Sequence, residues 1–418
     1  MPNIILVSAV YPPEPVVSAQ MSRDLANHLA HRGARVTVLC PFPSRPIGAD
    51  YSQFSPGAQR QVDYEDGVTV VRLPSFRSPQ SGLLPRMRES LSFGRQVGRY
   101  LKQQTAAVDV LYANTWPMFS QFLIARRCAQ LGIPLVLHVQ DIYPEALRDK
   151  LPRWGWGTVG PPGKVLDQWI ARQAARVVVI SENMQRTYRE DRRIPAARVT
   201  MIHNWQDEER FASLPSRTEA CSHYGVSPNR FSFVYLGNIG PVAGVDLLIH
   251  TFAQARIDNA QLLIIGGGSA RVASEELTRR LGAEHIVFIS DPDARQVPML
   301  QSMAHICLLP VKRGAGMSSI PSKLPAYLFS AKPVLATVDA ESDTARTILD
   351  AGCGWVEEPE NMAALTHRMR KASQLTGAEL DHLGQRGRAY GLRHLSKAQG
   401  VRKLAEAILS APPCQPMN

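Results

Sequence analysis

The chain has 418 residues, of which 44% are hydrophobic and 20% charged; this is the composition of a globular protein too long for one ordinary core, so two domains are expected. Its six cysteines, Cys40, Cys128, Cys221, Cys307, Cys353 and Cys414, form no C-x-x-C pair and several lie in apolar runs, which argues against a disulfide framework or a cysteine zinc site and suits a reducing compartment. The formal charge of +11 is uneven: residues 1–200 hold 25 Lys and Arg against 15 Asp and Glu (+10), and residues 201–418 hold 22 against 21 (+1), so the first half suits either an anionic partner (nucleic acid, an anionic membrane, a phosphorylated lipid) or a plainly solvated basic face.

The N-terminus, MPNIILVSAVYPPEP, has no basic leader, and its apolar run of about seven residues predicts a strand, Ile4–Val10, rather than a signal peptide. No stretch approaches the ~20 apolar residues of a membrane span, and a cytoplasmic protein is expected. A proline-rich turn follows, YPPEPVVSA, then a helix from Gln20 to Arg32, ended by Gly33, and a strand at Val36–Cys40. RMRESLSFGRQVGRYLK, residues 86–102, reads as a helix with Arg88, Arg95, Arg99 and Lys102 on one stripe and Met87, Leu91, Gly94 and Leu101 on its neighbour. A basic face beside an apolar one suits the headgroup region of an anionic leaflet, or a core-packed helix with a solvated basic edge. Short apolar strands recur at Val108–Tyr112, Leu135–Val139 and Val177–Ile180. The polar stretch Asn204–Pro215 breaks the rhythm, which then returns at Phe233–Leu236, Leu262–Ile265, Ile286–Ile289, Ile306–Leu309 and Pro333–Thr337. Buried strands alternating with helices predict an α/β fold with two doubly wound parallel sheets facing a cleft. In such sheets ligands sit at the carboxyl ends of the strands, so the strand exits carry the chemistry.

YLGNIGPVAGVDLLIHTF leaves a strand at Leu236, where Gly237, Asn238 and Gly240 form either a phosphate cradle or an ordinary glycine turn. LLIIGGGSAR, with Gly267 at its centre, matches neither a P-loop nor a full G-x-G-x-x-G, and tight packing explains it as well as ligand contact does. RGAGMSSIPSKLPAYLFSAKPVLA is more pointed. Arg313, Gly316 and Ser322 precede a helix that Pro321 can start, and Lys323 adds a cation where a diphosphate would meet free N–H groups. A surface lysine beside a capping serine is the plainer alternative. In VLHVQDIYPEAL, His138 lies within a strand, as a core histidine or a group facing an acceptor. Asp141 and Glu145 stand four apart, on one side if the turn is helical, to orient an acceptor hydroxyl or take its proton, or to cap the next helix. Asp291 and Asp293 of SDPDAR imitate a metal-binding D-x-D but are explained by turn chemistry. Asp339, Glu341 and Asp343 read as acids at a helix start, with Glu341 also within plausible reach of a ribose.

Taken in order, ILVSAVYPPEP, LANHLAHRGARVTVLC, HVQDIYPEAL, VISENM, VTMIHNWQDEERF, VYLGNIG, LLIIGGG and IPSKLPAYLFSAKPVLA resemble the GT-B glycosyltransferases of family 4 over nearly the whole chain. HVQDIYPEAL and PSKL are most similar to the bacterial subgroup, including the colanic-acid and O-antigen transferases, that builds polysaccharide repeat units on a lipid carrier. The resemblance implies retaining transfer of a hexosyl or N-acetylaminosugar unit from a nucleotide-sugar without a metal or other cofactor. The acceptor, a lipid-linked glycan, would lie on an N-terminal domain of residues 1–205 that binds no nucleic acid and docks on the inner face of the plasma membrane. The donor would lie on residues 206–396, with a last helix, residues 397–411, returning to the first domain. On the acceptor side the loop with Pro13 and Ser18 replaces the family's glycine-rich one. The family's two glutamates fall on Ser318 and Ala326 and its basic pair near Asn238 and Ala243, which leaves Lys323, helped by Arg313, as the cation for the leaving diphosphate and Leu324 beside it. A non-hydrolysing nucleotide-sugar epimerase of this architecture, or a weakened donor-binding homologue, are the alternatives.

Overall fold

The computed structural model describes all residues except 45–49, 52–53, 55–58, 79–81, 105, 116–117, 151–152, 241–242, 291–292, 315–320 and 414–418. The chain divides into two compact units, Met1–His203 with Gly400–Asn418, and Asn204–Gln399.

The first unit is built on eight strands: β1 (Asn3–Ser8), β2 (Arg35–Pro41), β3 (Gln61–Glu65), β4 (Val68–Leu73), β5 (Val110–Asn114), β6 (Leu135–Val139), β7 (Arg176–Val179) and β8 (Val199–Met201). They lie in the order β3-β4-β2-β1-β5-β6-β7-β8. Every pairing is parallel except β3 with β4, a hairpin closed by Asp66 and Gly67, both at positive φ as a tight two-residue turn demands. Ile4, Ile5, Leu6 and Val7 are all buried, because a parallel strand is covered on both faces. Helices α1 (Val17–His31), α2 (Leu83–Gln103), α3 (Met118–Leu131) and α4 (Arg153–Gln173) supply the cover. α3 packs against both α2 and α4, and Phe93 and Val97 of α2, Ile124 of α3 and Ile170 of α4 join one apolar cluster against the strands. The segment after Gly400 belongs to this unit, where Arg176 Nη2 donates to the Ser410 carbonyl at 3.3 Å.

The second unit has six parallel strands, β9 (Phe231–Leu236), β10 (Ala260–Ile265), β11 (Ile286–Ile289), β12 (Ile306–Pro310), β13 (Val334–Thr337) and β14 (Gly354–Glu357), in the order β11-β10-β9-β12-β13-β14. One apolar cluster lies on each face. The strand order turns at β1 in one unit and at β9 in the other, and the loops leaving those strands stand where doubly wound sheets bind ligands. Five of the six cysteines are buried free thiols, and the sixth lies outside the described residues.

Candidate functional site

In the second unit the structure brings together the exits of β9 and β10 and the start of the helix Lys323–Phe329. This helix has seven residues, and Leu324, Tyr327, Leu328 and Phe329 are buried in one of the two cores. Leu324 is therefore an anchor in the core rather than a donor contact. The anchored helix fixes Lys323 at its first residue. The ammonium lies 4.2 Å from the centroid of the Tyr235 ring and donates to Tyr235 Oη at 3.1 Å. Tyr235 in turn donates to the Asn238 carbonyl at 2.7 Å. Gly237 adopts φ +148°, and a Cβ there would stand 2.7 Å from Lys323 Nζ, so the lysine occupies the room a side chain would fill. The neighbouring loop closes on the same point. A Cβ on Gly266 would collide with the Gly237 carbonyl, and the Gly267 carbonyl accepts from Ile239 N at 2.7 Å. Burial pushes the Lys323 ammonium down to about 8. A cation of lowered pKa beside two glycine loops at a strand switch is poised to gain an anion, which would restore the charge-stabilising partner that burial removes.

The other residues expected here are distributed differently. Asn238 is exposed, Gly240 is buried, and Ser322 uses its carbonyl to accept from Gln206 Nε2 at 2.6 Å without capping the helix through its side chain. Arg313 is exposed and turned to the segment after β14: Nη1 lies 3.5 Å from Glu358 Oε2 and Nη2 donates to the Pro359 carbonyl at 3.2 Å. Gly316, Ser318 and Ser319 lie outside the described residues. Glu341 is exposed just ahead of the helix Asp343–Ala351, which Ser342 caps by accepting from Ala345 N at 3.1 Å. Asp339 accepts from Gly314 N at 2.8 Å, and Asp293 is paired with Arg295 at 2.6 Å. Asp291 is not among the described residues, and among those described no three His, Cys, Asp or Glu side chains form a metal-holding group. A cavity of about 240 Å³ opens at the exits of β12 and β13, beside Gly244, His250, Lys312 and Thr337.

In the first unit the β6 exit corrects two expectations. His138 is 1% exposed, with its ring nitrogens 2.7 Å from Tyr112 Oη and 3.1 Å from the Gln140 amide. Burial holds it at about 3, so it is a neutral core histidine and not an acceptor-facing group. Asp141 and Glu145 do not share a helical turn, because the helical segment begins only at Glu145. Glu145 is instead a half-buried member of an ion network centred on the buried Arg192. Its Oε2 accepts from Arg192 Nη2 at 2.7 Å and its Oε1 lies 3.4 Å from Lys164 Nζ. Arg192, 1% exposed, also binds Asp167 at 2.7 Å and the Tyr143 carbonyl at 3.2 Å. Burial alone would raise Glu145, but the Arg192 hydrogen bond and charge outweigh it and hold the carboxyl below its usual range. Asp167 is pushed up to about 6 by burial despite the same arginine. Asp141 remains partly exposed at the loop's start.

At the β1 exit Pro13 is exposed, and Ser18 in α1 gives its carbonyl to Ser22 Oγ at 3.0 Å. Between them the sequence reading missed Glu14. Only 5% exposed, it accepts from Ser44 N at 2.9 Å, and burial raises its carboxyl. With Glu89, Arg77, Ser90 and Phe93 it lines a cavity of about 50 Å³ at the strand exits. The available signal was a single acid among prolines and valines just after a strand. On α2, Arg88, Arg95, Arg99 and Lys102 are exposed, as the stripe requires. Of the neighbouring apolar stripe, Leu101 is buried, Met87 and Leu91 are half-buried, and Gly94 backs so closely on α3 that a Cβ would stand 2.9 Å from Ser120 Cα.

Two family models match the chain, Glycosyl transferase 4-like domain over residues 18–205 and Glycosyl transferases group 1 over residues 217–390. Among its relatives, the glycosyl transferase WcaI of Escherichia coli, assigned to colanic acid biosynthesis, is 25% identical over 88% of this chain and 92% of that one. Among solved structures, the sucrose-phosphate synthase of Thermosynechococcus elongatus has a TM-score of 0.73 at 15% identity, covering 97% of this chain and 98% of that one. HepE of Anabaena in complex with UDP and glucose has a TM-score of 0.68 at 17% identity, covering 98% and 100%. Two doubly wound sheets, glycine loops at the exits of β9 and β10, and these matches together make the chain a glycosyltransferase of GT-B architecture, family 4.

Proposed function

We propose that the protein moves a sugar, with retention, from a nucleotide-sugar to a lipid-diphosphate-linked glycan in the assembly of a bacterial surface polysaccharide. The observation that carries this reading is Lys323, held by a core-anchored helix against Gly237 and Tyr235. In the reaction the bond between the anomeric carbon and the diphosphate breaks, and the leaving group gains negative charge. A fixed ammonium at that point stabilises it without a metal, in the manner of a preorganised electrostatic donor. Asp141, partly exposed on the first unit, orients the acceptor hydroxyl. The naming of WcaI for colanic acid biosynthesis and the UDP and glucose bound to HepE support the substrate class. The exposed cations of α2 support docking on the anionic inner face of the plasma membrane, where a lipid-linked acceptor resides.

The test is transfer of labelled sugar from UDP-, GDP- and dTDP-sugars to a bacterial lipid extract. Label should enter the lipid fraction with one donor, with or without EDTA. No transfer from any donor rejects the acceptor reading, and full loss on chelation restored by Mg²⁺ or Mn²⁺ rejects the metal-free one.

A further inference from the structure

On α2, Gly94 and Leu101 are turned to the core, Met87 and Leu91 are half-buried, and Leu84 is exposed near the cations. A second helix of the same layer offers apolar contact as well. α4 begins RWGWGTVGPPGKVL, and the sequence carries no acid from Leu151 to Leu166. Val165 is 66% exposed and Val159 43% exposed. Pro161 and Pro162 are exposed between them, with Lys164 alongside and Arg172 two turns on. Such a helix face, poor in polar groups and flanked by cations, is unusual in water and suited to a headgroup boundary. Its position adds to this. Gly163 meets the 141–147 loop so closely that a Cβ there would lie 2.9 Å from Pro144, and Lys164 lies 3.4 Å from Glu145.

We propose that the N-terminal half of α4 is a lipid-contacting element: Val159, Pro161, Pro162 and Val165 seat against the surface of an anionic phospholipid bilayer and hold the Asp141–Glu145 loop beside it. The occupant follows from charge complementarity. The face itself supplies apolar contact, while Lys164, Arg172 and the α2 cations attract acidic headgroups. This arrangement rests on the docking reading given above and names the element that converts attraction into insertion. It also places the loop with Asp141 where a lipid-anchored sugar would emerge.

The experiment uses the full chain with Val165→Cys carrying an environment-sensitive dye, in a Cys414→Ser background, and vesicles of phosphatidylcholine with and without phosphatidylglycerol. Sedimentation reads docking, and dye emission reads insertion. Cosedimentation with the anionic vesicles should come with a blue-shifted, brighter dye. The label-free double variant Val159→Ser/Val165→Ser, with an unchanged melting temperature, should lose about tenfold in partition, the scale expected for removing buried methyl groups from an interface. Cosedimentation with unchanged dye emission, or equal binding by the double variant, overturns the proposal and leaves charge-driven docking standing. Failure of wild type to cosediment at low salt overturns both. A dye response that depends on protein concentration without vesicles assigns the face to a second copy of the chain and also overturns it.

Discussion

Lys323 and Arg192 are both cations brought into low-dielectric surroundings, with opposite outcomes. Lys323 has an aromatic ring and a hydroxyl beside it and is pushed down to about 8. The folded chain therefore binds fewer protons than the unfolded chain between about 8 and 10.5, and this group makes stability rise with pH across that window. Its charge, needed for a diphosphate, is present below the window. kcat/KM for the donor should fall as pH rises through about 8, and Lys323→Arg should move that limb upward, because a guanidinium stays charged. A profile flat to pH 10 in wild type would remove Lys323 from the reaction. Arg192 is paired with Asp167 and Glu145. Arg192→Met leaves the buried Asp167 without its cation and Glu145 with Lys164 alone, and should cost about 3–5 kcal/mol in urea unfolding. Part of that loss should return as pH falls, and from above the wild-type Asp167 value of about 6, because without Arg192 burial raises this acid further. A change under 1 kcal/mol would show that the network contributes little.

At the scale of elements, most of the architecture was readable because parallel strands buried on both faces leave unbroken apolar runs such as Ile4–Val7 and Leu262–Ile265. Of the strands that escaped notice, β4, VTVVRL, is an almost wholly buried run that was passed over, and the others lack such runs. β3, QVDYE, is half exposed at an edge, although the Asp66-Gly67 turn beside it was a hairpin signal. β8 is three residues long, and β14 is only half buried. Periodicity fixed α2 correctly but not the use of its apolar stripe, because a stripe alone does not say whether it meets a core or a lipid. The close α2–α3 approach assigns Gly94 to the core, and Gly94→Val should destabilise the fold by about 1–3 kcal/mol through overpacking. Thermal melts would show this, and an unchanged melting temperature would mean the two helices are not in register there. At the site, Lys323 stood out as a lone cation in a polar loop. Glu145 was misread because Arg192, 47 residues away in sequence, is its partner. Glu14 was missed because only tertiary packing buries it.

For the whole molecule, the two units divide the chemistry. The second carries little net charge in sequence and holds the lysine between glycine loops, while the first carries the excess of cations and the polar strand exits. This division is the one the proposed function asks of a donor unit and an acceptor unit. The most direct check is calorimetric titration of UDP, GDP and dTDP into wild type and Lys323→Ala at neutral pH, with matched circular dichroism. The account predicts that one nucleoside diphosphate binds wild type and that Lys323→Ala weakens it by about 2–4 kcal/mol, the scale of a lost preorganised charge. Equal affinity for wild type and the folded variant would contradict it and place the diphosphate elsewhere.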